Sequence, residues 1–233
     1  TLISVVSPVY GCRSCLEALA DAVRDTFEGT GHDWELVLVD DRGPDEPWPL
    51  IREIAARDPR IRGIRLSRNH GQHLAIWAGL AQARGDWVAV IDCDLQDDPA
   101  VIPALHAQAL AEGTDAVLVD RGNWKDSGLR RLASNLFVRV LNAVSGVRIS
   151  NEVGNFGLYS RRMTDTLLMF QDKEVFLPLM VTLTGLPRSI HRGANRAGRA
   201  EGQSSYNFRR LIRVAIAIII RFSDRPLKLS VIL

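Results

Sequence analysis

The sequence predicts an α/β fold, with a mostly parallel central sheet carrying helices on both faces. Short, nearly continuous apolar runs alternate along the first half with stretches whose apolar residues recur at helical spacing. Strands that read as continuous apolar runs are buried on both faces, as in a parallel sheet covered by helices. Polar and acidic residues follow directly at the ends of successive strands, where open parallel sheets bind ligands.

The elements follow in order. LISVVS (Leu2–Ser7) is an apolar strand, and Leu16, Leu19, Ala20, Val23 and Phe27 form a helical stripe. WELVLVD (Trp34–Asp40) is the second strand. Leu50, Ile51 and Ile54 place a helix over Pro49 to Ala56, and Ile61 to Leu66 is the third strand. Ala75, Ile76, Gly79 and Leu80 share one face of a helix over Gln72 to Ala83. WVAVIDCDL is the fourth strand, rich in β-branched residues and free of breakers. A helix over Val101 to Glu112 and a strand over Asp115–Asp120 come next. Trp77 and Trp87 are read as core residues.

The second half differs in character. Lys125 to Ser145 reads as a helix with Leu129, Leu132, Phe137, Val138 and Leu141 inward. NEVGNFGLYSRR (Asn151–Arg162) reads as a glycine-punctuated loop and then a short strand, followed by a helix from Met163 to Phe170. His191 to Leu211 is basic and glycine-rich, the composition of a mobile loop. Its Arg192, Arg196, Arg199, Arg209 and Arg210 suit phosphate. Val214 to Ile220 is apolar and bounded by Arg213 and Arg221. That run is too short for a bilayer span, which needs about 20 residues. It fits either an amphipathic helix lying in a membrane interface or a core helix. The expected division is a main α/β domain over 1–205 and an amphipathic, membrane-proximal segment over 206–233, with a transmembrane region able to follow.

Composition narrows the function classes. A chain of 233 residues supports one large domain, and its net charge of +2 with few, scattered aromatics gives no basis for nucleic-acid binding. The three cysteines are too few for a zinc site; Cys12 and Cys15 form a CxxC, but the default expectation is a reduced cytosolic protein. Thr1 leads straight into a strand with no leader-like segment, and native residues are expected to have preceded it or been removed. Neither GxGxxG nor GxxxxGK[ST] occurs, so the usual dinucleotide and Walker-type cradles are missing.

The chemistry concentrates in VIDCDLQDDP (Val90–Pro99). Two carboxylates about 4 Å apart repel by roughly 4 kcal/mol at an effective dielectric of about 20, so such a pair calls for a cation. On a strand, Asp92 and Asp94 point one way and Cys93 the other. This prepares a site for a hard divalent cation, to which Gln96 adds a neutral oxygen. Asp97 and Asp98 read instead as caps for the helix that begins near Pro99. Around them gather Pro8, Val9 and Tyr10, then Asp40 and Asp41, then Ser67 to Gly71, each set at the end of its strand. Gly71 is expected to permit an unusual backbone angle, and His70 or His73 could face a phosphate or solvent.

ISVVSPVYG, LVDDRGPD, LSRNHGQHLAIWAGLAQARGD, DCDLQDDP, GNFGLYSRR and RAEGQSSY, in this order, resemble glycosyltransferase family 2 and its GT-A nucleotide-sugar-binding fold. Within the family the pattern looks like the polyprenyl-phosphate glycosyltransferases of the dolichol-phosphate mannose synthase type. The resemblance implies nucleotide-sugar contacts at Pro8, Tyr10, Asp40, Asp41, Asn69, Gly71, Asp92, Cys93 and Asp94, with Asp40 supporting the loop. It implies Mg²⁺ or Mn²⁺ on Asp92, Asp94 and Gln96, and acceptor phosphate at Arg199 and Ser205. Asp94, Glu152 and Arg199 are the implied catalytic residues. The sequence departs from the family pattern at Gln72, Asn155, Gly157 and Ser205, where relatives commonly carry charge.

The implied activity is inverting transfer of a sugar from a UDP-, GDP- or dTDP-linked donor to a polyprenyl phosphate at the cytoplasmic face of the cell membrane. Transfer to a growing surface polysaccharide or glycolipid is the nearer alternative, and a non-catalytic nucleotide-sugar-binding docking module is the alternative of another class. A phosphate acceptor is already anionic near neutral pH, with a second pKa of about 6. A hydroxyl acceptor needs a base, for which Glu152 is the candidate. Apolar helices near the end of the chain could support a homo-oligomer.

Overall fold

A computed structural model describes residues 1–120, 153–170 and 176–192. All of them lie in one compact unit, Thr1–Gly122 with Val153–Gly202. The helix expected from Lys125 to Ser145, Glu152, Arg199, Ser205 and the segment 206–233 lie outside the described residues.

The strands are β1 (Leu2–Val9), β2 (Asp33–Asp40), β3 (Ile61–Arg65), β4 (Trp87–Val90), β5 (Ala116–Asp120), β6 (Val153–Ser160) and β7 (Arg188–His191). They form one seven-stranded sheet in the order β3-β2-β1-β4-β6-β5-β7. β1 runs parallel to β2 and β4, β2 to β3, and β5 to β7. Only β6 runs against its neighbours, β4 and β5. The sheet is therefore mostly parallel, as the apolar strand pattern predicts. The helices are α1 (Leu16–Phe27), α2 (Trp48–Arg57), α3 (Gln72–Gln82), α4 (Ile102–Glu112), α5 (Arg161–Leu168) and α6 (Leu177–Leu183). None of the described helices is long and apolar enough to cross a membrane.

β1 is buried nearly throughout, and its alternating side chains fill both faces. Ile3 and Val5 join a core with Leu16 and Leu19 of α1, Ile51 of α2 and Leu105 of α4. Val6 points to the opposite face, where α3 lies close enough that a Cβ on Gly79 would come within 2.3 Å of Val6 Cγ1. Gly79 is thus the contact that lets α3 seat on the sheet.

Three elements differ from the sequence reading. GNFGLYS is a full central strand, not a loop with a short strand after it. Gly157, which disguises it, sits so near β5 that a Cβ would lie 2.9 Å from the Val117 carbonyl. His191 closes the edge strand β7 instead of opening a loop. And β4 ends at Val90, so Asp92 and Asp94 stand in the turn beyond it and not on the strand. Burial still alternates there, with Ile91 and Cys93 buried between the half-buried aspartates.

The amino-terminal edge of the sheet is held by buried polar groups. Glu35 accepts from Ser4 Oγ at 2.6 Å, from the Arg84 amide at 2.7 Å and from Arg62 at 2.9 Å. Burial raises its pKa, but these bonds outweigh burial and hold the carboxyl below its ordinary value. Asp58 takes both guanidinium arms of Arg60, at 2.9 and 2.8 Å, which lowers its pKa from 3.8 to about 2. A depressed carboxyl contributes stability that is present above its unfolded pKa and is lost as pH falls through the folded one. Stability should therefore fall as pH drops from about 4 toward 2, and Asp58→Asn should flatten that limb in melts across pH. Arg60 is half exposed, so solvent screening limits the cost at pH 7 to about 1 kcal/mol.

Candidate active site

The carboxyl ends of β1, β2, β3 and β4 meet at one edge, joined there by the start of the antiparallel β6. Backbone strain collects at this edge. Among the described residues, the non-glycine residues with positive φ are Arg42, Glu46 and Leu95, two in the turn after β2 and one beside Asp94. Such conformations persist only where the surroundings enforce them, and they cluster at ligand sites.

The loops are built on one another. Asp45 accepts the Gly11 amide at 3.2 Å and the Arg13 amide at 2.6 Å, tying the loop after β2 to the loop after β1. Asp40 is fully buried; it accepts the Gly43 amide at 3.3 Å and faces Arg65 at 3.2 Å. Asp41 is also buried, and its two oxygens accept the His70 amide at 2.7 Å and the Gly71 amide at 2.8 Å. Gly71 has φ 91°, the left-handed geometry that glycine tolerates and that was expected of it. It starts α3 as N-cap.

Pro8 is buried at the end of β1, and Tyr10 is half exposed just beyond it. Asn69 and His70 are exposed in the turn before α3. The His70 ring lies 3.3 Å from Ser67 Oγ. His73 packs edge-on against Phe176 at 5.2 Å, so it is not a bare surface residue.

In the acidic turn, Asp94 Oδ1 accepts the Gln96 amide at 3.2 Å. Asp92 Oδ1 accepts from Gln72 Nε2 at 2.5 Å. Gln96 is buried, and its side-chain nitrogen lacks a hydrogen-bond partner among the described residues. Asp98 caps the turn at Pro99 through the Ala100 amide at 2.9 Å, as expected, whereas Asp97 is buried. Cys93 is disulfide-bonded to Cys12, 81 residues away. This corrects the expectation of a fully reduced chain, and the pairing is not the CxxC of Cys12 with Cys15, whose thiol remains free and buried. Adjacent strands β1 and β4 bring the two loops together, with 6.3 Å between the Cα atoms. The Cys93 side chain is thereby turned to the core.

Reading the sequence missed three polar groups at this edge. Asp45 and Gln72 act through contacts between loops remote in sequence, and Asp120 ends β5 opposite Val153 of β6. Among the described residues, no three His, Cys, Asp or Glu side chains gather as a metal cage.

A mostly parallel sheet with an acidic turn after its fourth strand and one reversed strand beside it is the GT-A arrangement of glycosyltransferases. Solved structures bear out the fold. Glucosyl-3-phosphoglycerate synthase from Mycobacterium tuberculosis, in complex with Mn²⁺, UDP-glucose and phosphoglyceric acid, matches with TM-score 0.66 at 20% identity, over 94% of this chain and 79% of that one. The mannosyltransferase PcManGT from Pyrobaculum calidifontis, in complex with GDP-Man and Mn²⁺, matches with TM-score 0.62 at 16% identity, over 94% of this chain and 64% of that one. In sequence, the chain is 34% identical over 229 residues to the undecaprenyl-phosphate 4-deoxy-4-formamido-L-arabinose transferase of Aeromonas hydrophila, covering 98% of this chain and 70% of that protein. The model of glycosyl transferase family 2 matches residues 4–168. The chain belongs to glycosyl transferase family 2, and it is a glycosyltransferase.

Proposed function

We propose that the protein transfers a sugar from a nucleotide-sugar donor to a polyprenyl phosphate at the cytoplasmic face of the membrane, with inversion at the sugar carbon. The observation that carries this reading is the acidic turn of Asp92 and Asp94, tied to the loop after β1 through Cys93 and Cys12 and to the start of α3 through Gln72. The similarity to an undecaprenyl-phosphate sugar transferase supports the acceptor class.

In this reading Pro8, Tyr10, Asp41, Asn69 and Gly71 line the nucleoside side, and Asp40 holds the loop beneath them. Asp92 and Asp94, with Gln96, would hold Mg²⁺ or Mn²⁺, which supplies positive charge against the departing diphosphate. Arg199 adds a second positive charge there or at the acceptor phosphate, with Ser205 nearby in sequence. An acceptor phosphate attacks as an anion and needs little base. Glu152 becomes the proton acceptor when the acceptor is a hydroxyl. The catalytic unit is 1–205, and the arginine-flanked segment 206–233 serves at the membrane surface.

The test is a screen of UDP-, GDP- and dTDP-sugars against a short-chain polyprenyl phosphate, with product read by mass. We expect one nucleotide with Mn²⁺ to raise the melting temperature, since ligand at a hundredfold over Kd contributes about 2.7 kcal/mol. Product on a sugar hydroxyl instead of the lipid phosphate would move the acceptor to a growing glycan. No nucleotide shift and no product would leave only a docking role.

A further inference from the structure

We infer that Gln72 is a positioning residue for the acidic turn. Its side-chain amide sets the direction of the Asp92 carboxylate and thereby the affinity of the site for a divalent cation. The inference rests on the reading that Asp92 holds such an ion.

Gln72 is the first residue of α3, and its Nε2 donates to Asp92 Oδ1 at 2.5 Å across a separation of 20 residues. A carboxylate only accepts, so the amide must present its NH₂ to Asp92, which fixes its orientation. The backbone that carries Gln72 is itself over-determined. Asp41 accepts the His70 and Gly71 amides with both oxygens, and Gly71 turns the chain at φ 91° immediately before Gln72. Side chains in a first helical turn lean toward the helix N-terminus, which faces this edge. A chain of contacts therefore runs from Asp41, just after β2, through the turn before α3, to the acidic turn beyond β4.

The chemistry of an amide suits this task. It holds one carboxylate oxygen, and so aims the other, without adding charge, leaving the full negative charge of Asp92 and Asp94 for a cation. Groups that hydrogen-bond to metal-binding side chains typically govern metal affinity by 10- to 100-fold when removed.

The experiment compares wild type with Gln72→Met and Gln72→Leu, both near in size and lacking the donor. Binding of Mn²⁺ is followed by electron paramagnetic resonance of the free ion in the presence of UDP, GDP or dTDP. Nucleotide binding alone is measured in EDTA. We expect both variants to weaken Mn²⁺ binding about tenfold or more while nucleotide affinity in EDTA stays at the wild-type value. A loss in EDTA equal to that with Mn²⁺ would show a merely structural role and overturn the inference, as would unchanged Mn²⁺ affinity in a folded variant. Mn²⁺ that fails to bind wild type with any of the nucleotides would overturn the metal reading itself and the inference with it. Wild-type binding with unaltered variants would sink the inference alone.

Discussion

Asp94→Asn should reduce sugar transfer by about a hundredfold or more while leaving the fold intact. The asparagine is isosteric and keeps an oxygen where Asp94 Oδ1 accepts the Gln96 amide, so the turn survives. What disappears is one of two negative charges that the proposed function assigns to the cation. Asp92→Asn should act in the same direction, because its side-chain oxygen can still accept from Gln72. Melting curves of both variants should match wild type without ligand, and the stabilisation by nucleotide with Mn²⁺ should vanish. Normal turnover in Asp94→Asn would remove the acidic turn from the mechanism.

Gly85→Ala should be the most damaging small substitution, at about 3 kcal/mol or more. A Cβ there would stand 2.6 Å from the Ser4 amide nitrogen, 2.7 Å from the Trp87 carbonyl and 2.8 Å from the Leu2 carbonyl. All three are backbone atoms of β1 and β4, which pair side by side, so no side chain can rotate away. The Gly85 amide also donates to Ser4 Oγ at 2.7 Å, and its carbonyl accepts from the Arg161 guanidinium. Relief of the clash would therefore cost the polar network around Glu35 as well. For a domain of this size the melting point should drop by about 10 °C. Gly113→Ala is the comparison: its φ of 63° is strained for alanine, but nothing lies within 4 Å of the added carbon. It should cost about 1 kcal/mol. Equal melting shifts for the two would show that crowding at Gly85 is relieved by a route the strands do not suggest.

The fold was legible where side-chain pattern alone decides it. Continuous apolar runs gave β1 and β2, and helical stripes gave α1 and α3, because burial on two faces or one stripe is written in residue order. It was not legible where a neighbour decides. Gly157 reads as a loop residue until β5 is seen pressing on it. The RSIH run of β7 alternates too briefly to stand out, and its strand exists because β5 offers a free edge. The acidic pair announced itself by its electrostatic cost, and Asp41 by its place after a strand. Gln72, by contrast, looked only like a missing charge. Its contact with Asp92 depends on two strands and a helix meeting, which no spacing in sequence encodes. The cysteines mislead for the same reason: the sequence gives no cause to pair any of them, and sheet order brings Cys12 to Cys93.

That covalent tie makes a closed ring of the chain from Cys12 to Cys93, which contains α1, β2, α2, β3, α3 and β4. Ring closure of this length removes roughly 4–5 kcal/mol of freedom from the denatured chain in a chain-entropy account. A protease nick anywhere within the ring leaves both fragments tethered at the rim where the acidic turn begins. The first and fourth strands thus stay in partnership through damage that would separate an open chain.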